Sequence, residues 1–207
     1  MEMRVPLEYY LISGVVYTVS FFTSMLVAYF AWSALNIAKQ KRLKFLFFGF
    51  VLLGFGFLTL ALTSFYIYFA IDLYGTTGIS FHYVNYIGFN VYYVFSLTAY
   101  VLFVLTYVPR FDKKLWVIYV PLWYASYPNF HIISILLLGF VVFRNVQNYI
   151  KKKNFDSLLV ITSFVCLMIF HGMLLFTTFN QAIYLTANIM LISGFLALIY
   201  MLMRVGR

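Results

Sequence analysis

The sequence predicts an all-α polytopic membrane protein, a single bundle of seven transmembrane helices with its N-terminus outside and its C-terminus inside. Three observations carry this. Of 207 residues, 65% are hydrophobic and only 9% are charged, whereas soluble proteins carry about 25% charged residues. Thirteen of the 14 Lys and Arg residues fall into four clusters between long apolar stretches: Lys39/Lys41/Arg42/Lys44, Arg110/Lys113/Lys114, Arg144/Lys151/Lys152/Lys153 and Arg204/Arg207. Basic residues that flank spans stay cytoplasmic, so each cluster marks a return to the inner face. Four such returns, from a poorly basic N-terminus, need seven crossings. The apolar runs are also continuous rather than alternating, which excludes a membrane β-barrel.

Helix 1 is expected over 8–38 and helix 2 over 44–71, both longer than a bilayer requires. The first of these begins after Glu2, Arg4 and Glu8, without a basic leader or a small-residue cleavage pattern, and reads as a retained helix. An outer loop follows, Asp72 to His82, whose Gly75 and Gly78 are turn chemistry. Helix 3 covers 83–108 and stops at Pro109.

The apolar segment Leu115 to Phe143 could form one long span or two short ones. One span would put Arg144 and Lys151–Lys153 outside, so the charge rule selects two: helix 4 over 115–126 and helix 5 over 130–148. Tyr127-Pro128-Asn129 supplies the turn, since proline disfavours helix in the residue before it. Both are short against a ~30 Å hydrocarbon core, which predicts a thin or partly re-entrant hairpin. Helix 6 spans 156–179, with Asn154 or Asp156 as cap. Asn180-Gln181 makes an outer turn and helix 7 runs over 182–203.

Several function classes fall away. The net charge of +9 is explained by the inside rule and by anionic inner-leaflet lipids, at about 1 kcal/mol per basic residue; nucleic acid is not expected as a partner. Cys166 is the only cysteine, so disulfide-exchange chemistry is excluded, and a buried free Cys acts as a small hydrophobe. Glu2, Glu8, Asp72, Asp112 and Asp156 all fall at membrane edges or in loops, which argues against a proton-coupled carrier. Helix 7 lacks a lysine for a retinal Schiff base. No nucleophile has a base in reach, and neither an enzyme nor a cofactor is expected.

What remains is a polar layer. His171 lies eight residues from the expected outer end of helix 6, about 12 Å down. On helix 3, His82, Tyr86, Asn90 and Tyr93 share one face. Ser64 and Thr63 of helix 2, Asn188 of helix 7 and Thr18 of helix 1 fall near the same depth. These residues are either interhelical glue, at about 0.6 kcal/mol per bond, or the lining of an outward-facing small-molecule pocket made of Asn90, His171, Asn188, Tyr86, Tyr93 and Ser64. The pocket predicts side chains aimed at the bundle axis, and a His171→Leu variant that loses ligand but keeps its stability. Glu8, Asp72, His82 and His131 are expected at the hydrated outer rim, and no ligand spacing marks a metal site. Gly49 and Gly56 share a face for close helix packing. Trp116, Tyr119, Trp123 and Tyr124 suit an interfacial belt.

A three-plus-one-plus-three plan, with helix 4 as linker, is that of the small SWEET-type sugar transporters, which carry a Pro-Gln dipeptide in the repeats. Here Gln40, Gln147 and Gln181 all lack a preceding proline, and residues 8–108 and 130–204 show no convincing self-similarity. Residues 29–56, Tyr-Phe-Ala-Trp through Lys-Arg-Leu-Lys-Phe-Leu-Phe-Phe-Gly-Phe-Val-Leu-Leu-Gly-Phe-Gly, resemble the first helical hairpin of uncharacterised prokaryotic seven-helix membrane proteins similar to the sensor regions of membrane histidine kinases. The resemblance implies a sensor-like bundle in the cell membrane. Its expected partners are the bilayer, anionic lipids and a membrane or cytoplasmic protein at the basic inner loops, with homo-oligomerisation equally compatible. A permease or channel subunit and an accessory subunit of a membrane complex are the alternatives.

Overall fold

The structure, a computed structural model, describes residues 7–74, 79–108, 127–177 and 181–205. These form six helices: α1 (Leu7–Ala38), α2 (Lys41–Tyr74), α3 (Ile79–Leu105), α4 (Tyr127–Lys152), α5 (Phe155–Leu174) and α6 (Gln181–Val205). Each contains a stretch long and apolar enough to cross a membrane. The predicted helix 4, over 115–126, and the belt residues on it lie outside the described residues, so α4, α5 and α6 correspond to predicted helices 5, 6 and 7.

Several boundaries differ from expectation, and α3 ends at Leu105 rather than at 108. Tyr127-Pro128-Asn129 is not a turn between helices but the first turn of α4. Proline is accepted there because its missing N–H has no intrahelical partner at a helix start. The resulting 26 residues reach about 39 Å, so α4 is a full-length span rather than half of a thin hairpin. The outer loop is shorter than Asp72–His82, since Asp72 lies in the last turn of α2 and His82 in the first turn of α3. Predicted helix 6 stops at Leu174 instead of 179, because side chains take over its last carbonyl: the Leu174 oxygen accepts from Thr177 Oγ1 at 2.8 Å and from Tyr127 Oη at 3.1 Å. At the other end Asn154 is the cap, its side chain accepting from the Asp156 N–H at 3.1 Å.

Contacts fix the direction of every helix. Gly14 meets Phe65 and Gly54 meets Met25, so α1 and α2 are antiparallel. Gly56 against Ser96 and Gly49 against Phe103 set α2 antiparallel to α3, and both glycines are points of close approach. A Cβ on Gly56 would stand 3.2 Å from Tyr92. Next, α3 and α4 run parallel: Tyr93 stacks on Phe130 at 4.0 Å, and Tyr107 Oη donates to Asn145 Oδ1 at 2.8 Å. The chain between Leu105 and Tyr127 therefore starts at one end of the bundle and finishes at the other. His131 beside His171 makes α4 and α5 antiparallel, and Arg204 paired with Asp156 at 3.5 Å does the same for α5 and α6.

The helices thus form two three-helix units, α1–α2–α3 and α4–α5–α6, joined where α3 meets α4 and α6 meets α1. By this geometry Lys39, Arg42, Lys44, Lys151, Lys153 and Arg204 gather at one end of the bundle. Glu8 and Asp72 lie at the other, as their edge positions suggested. Arg144 sits further in, with its guanidinium 5.5 Å from the Phe140 ring centre, so part of its charge is met by the aromatic face. Phe50, Leu53, Phe57, Phe103, Phe164 and Phe195 fill the axis. Large apolar side chains such as Phe22, Leu62 and Leu136 are exposed on the flanks, as lipid solvation requires. An apolar groove of about 520 Å³ between Trp32 and Phe47 opens on the flank of α1 and α2.

Candidate functional site

The site is built where the start of α4 and the end of α5 face the middle of α3. Helix α4 buries Phe130, His131, Ser134, Leu138, Val141 and Asn145, a single stripe at helical spacing. Because the helix begins at Tyr127, His131 is one turn inside it and turned inward. His131 is 1% exposed and His171 is 0% exposed. Their Nδ1 atoms are 2.9 Å apart, and His171 Nε2 is 2.7 Å from Tyr100 Oη. Three side chains from three helices form one hydrogen-bonded line.

An Nδ1–Nδ1 contact of that length needs one ring to donate and the other to accept. Two arrangements satisfy the line. In the first, Tyr100 O–H donates to His171 Nε2, His171 Nδ1–H donates to His131, and His131 carries its proton on Nε2. In the second, His131 Nδ1–H donates to His171, His171 Nε2–H donates to Tyr100, and His131 Nε2 is a bare lone pair. Either way the line ends on His131 Nε2, which is buried and without a hydrogen-bond partner among the described residues. That terminal atom is what the site has to offer. Phe130 packs against both imidazoles, at 4.9 Å and 5.4 Å between ring centres, and Tyr127 meets His131 edge-on at 4.5 Å.

A second polar group lies across the axis. Tyr184 Oη is 2.7 Å from Ser13 Oγ and 3.1 Å from Tyr17 Oη. Asn188, one turn further along α6, donates to the Tyr184 carbonyl at 3.1 Å and leaves its buried Oδ1 unpaired among the described residues. Tyr92 Oη and Ser96 Oγ are likewise buried without partners there.

Four of the six expected lining residues are buried: His171, Asn188, Tyr93 and Ser64. Tyr93 belongs to the site by stacking on Phe130; Ser64 is buried on α2 next to Thr63, whose side chain meets Gly88 of α3. Tyr86 does not belong, being 69% exposed. Asn90 is only half-buried, and its amide donates to the Tyr86 carbonyl at 2.7 Å. Tyr86 precedes the level at which α4 begins and Asn90 lies level with its first turn, by the pairing of Tyr93 with Phe130. Thr18 bonds its own backbone, to the Gly14 carbonyl at 2.7 Å. His171 is shallower than expected, in the last turn of α5.

His131 is the main correction. It is not a hydrated rim residue but the buried partner of His171, displaced inward because its helix starts three residues early. Tyr100 is a further member that spacing did not point to, together with Tyr17 and Tyr184. The stripe running from His131 through Ser134 and Leu138 to Asn145 was the signal for the first. Among the described residues, no group of three His, Cys, Asp or Glu could hold a metal ion. No protein-family model matches this chain, and no curated protein or solved structure matches it.

Proposed function

We propose that the chain is a non-catalytic, sensor-like module of the cell membrane, with seven spans, N-out and C-in, that recognises a small molecule or ion at its outer end through His131, His171 and Tyr100. The single observation that carries this is the hydrogen-bonded line ending on an unpartnered buried nitrogen. Buried polar groups in proteins are as a rule paired, and of those left unpaired among the described residues His131 Nε2 alone belongs to an imidazole; an ionisable group at membrane depth marks a functional site. The parallel run of α3 and α4 supports an odd number of crossings. The gathering of basic residues at the far end supports the orientation. Phe103 lies 4.7 Å from Phe50 and 5.5 Å from Phe164 between ring centres; these rings close the axis on the basic side and support a dead-end site. An enzyme would need a nucleophile or acid in reach, and the carboxylates of the described residues stand at helix ends.

One observation favours a permease as second reading. Two three-helix units of the same direction, side by side, are the plan of transporters built from parallel repeats, with the substrate between the repeats. Uptake of solute by proteoliposomes holding the purified protein alone would select it.

The test is a thermal-shift series in lipid nanodiscs with a panel of uncharged hydrogen-bonding solutes, polyols and amides. A recognised solute at ~100 times its Kd adds about 2.7 kcal/mol of stability. It should raise the Tm of wild type and not of His131→Phe. Equal shifts in both would remove the site. For orientation, a cysteine at position 76 in a Cys166→Ser background should label from outside and one at 152 from inside.

A further inference from the structure

The two three-helix units share a residue-by-residue register. At one constant offset, each of the six buried residues of α4 falls on a buried residue of α1, and each of the six of α5 on one of α2. Ser134 falls on Ser20, Val141 on Val27, Phe164 on Phe50 and Leu167 on Leu53, identical in each case. A second constant offset does the same for all six of α6 on α3.

The turns repeat as well. Lys39 and Lys153, at matching positions, follow α1 and α4 with φ of 50° and 45°, a left-handed conformation uncommon outside glycine. Their N–H groups bond the carbonyls of Leu35 and Tyr149, at 2.8 Å and 2.7 Å, which also match. Gln40 and Asn154 then open the next helix in the same way, their carbonyls accepting from Leu43 and Ser157.

In this register His131 falls on Tyr17, His171 on Phe57 and Tyr100 on Phe195. The contacts correspond too. Tyr17 packs on Phe57 at 6.2 Å where His131 packs on His171 at 5.2 Å. Phe57 meets Phe195 edge-on at 5.6 Å and 80° where His171 meets Tyr100 at 5.4 Å and 88°. One slot, occurring twice in the molecule, is filled once by an aromatic plug and once by a hydrogen-bonded polar trio. Packing is satisfied by the plug, so packing is not what the trio adds.

Building on the outer recognition site proposed above, we infer that the bundle is two copies of one three-helix unit and that the second copy carries a binding site for a single proton, shared by His131 and His171, where the first carries an aromatic plug. The proton enters at the bare Nε2 of His131 and makes that ring a cation whose Nδ1–H still donates to His171. A second proton is refused, because the Nδ1 contact would then oppose two N–H groups. Tyr100 from α3 and Tyr127 from α4 touch the pair, and Tyr92 and Tyr93 of α3 pack on Phe130 beside it. Tyr17 and Tyr184 stand across the axis on α1 and α6. Of the charged groups at this end, Glu8 and Asp72 lie in the terminal turns of α1 and α2.

The test is ¹⁵N-imidazole NMR of the full chain in nanodiscs, without added solute and on a His82→Gln background, from about pH 8 to pH 4, the range that brackets histidine titration. Both rings should change together at one midpoint, with one proton added to the pair of rings. The variant copying the first unit, His131→Tyr with His171→Phe and Tyr100→Phe, should fold with a Tm near that of wild type. Tyr100→Phe alone should move the midpoint and lower Tm modestly, because it leaves His171 Nε2 without its partner. Separate midpoints for the two rings, neutral rings throughout, or a triple variant that fails to fold would each overturn the inference. Because no solute is present, proton uptake can succeed where solute recognition fails, and the reverse.

Discussion

His171→Leu is expected to lower the unfolding free energy by about 2–4 kcal/mol, since it orphans two buried groups at once, Tyr100 Oη and His131 Nδ1. Each now has its partner in His171, at 2.7 Å and 2.9 Å. Leucine fills the volume and satisfies neither. This departs from what a lone pocket histidine would do, for which the variant keeps its stability. The triple substitution that copies the first unit removes both imidazoles and the Tyr100 hydroxyl together, brings in one phenol hydroxyl at 131, and should recover much of the loss. Residues in one hydrogen-bonded network are coupled, so the three changes will not add. Denaturant titration of the single and triple variants in the same detergent measures both. A His171→Leu protein as stable as wild type would mean that the trio is not bonded as described.

The second large effect is expected at the α5–α6 contact. A Cβ on Gly194 would lie 3.0 Å from Cys166 Cβ and 3.0 Å from the Ser163 carbonyl oxygen. The second neighbour is backbone inside a helix and cannot step aside. Gly194→Leu should therefore force α5 and α6 apart at a cost of about 1–3 kcal/mol or more. Gly172, further along α5, has nothing within 4 Å of the place a Cβ would take. There Gly172→Ala should stabilise by about 0.5–1 kcal/mol through helix propensity. Opposite signs for two glycines on adjoining helices, read as Tm shifts, check the packing of the second unit.

Much of the bundle was legible in the sequence because lipid leaves the chain few choices. Backbone groups must be paired within each span, so long apolar runs become helices, and the basic clusters mark their ends. What was less legible follows from local ambiguity. Pro128 reads equally as a turn residue or as part of a helix start, and choosing the turn displaced His131 to the rim. His171 could be singled out as a polar group at depth, but its partners lie 40 and 71 positions away, beyond the reach of spacing rules. Tyr86 and Asn90 share a helical face with Tyr93 as expected. That face is covered by α4 only from the level where the helix begins, so helical phase alone could not separate lining from flank. The repeat, which the comparison of residues 8–108 with 130–204 did not lead one to expect, is hidden in the sequence because the units share burial and turn geometry more than residue identity: His on Tyr and His on Phe occupy one slot without looking alike.

Whether His131 Nε2 is open to a ligand can be read from an experimental density map of the protein in lipid, at a resolution that shows ordered solvent. A non-protein feature, a water or a bound small molecule, is expected about 3 Å from that nitrogen. A side chain of this same chain bonded to His131 Nε2 would refute the recognition site, because the line from Tyr100 would then end in the fold and have nothing to offer a ligand.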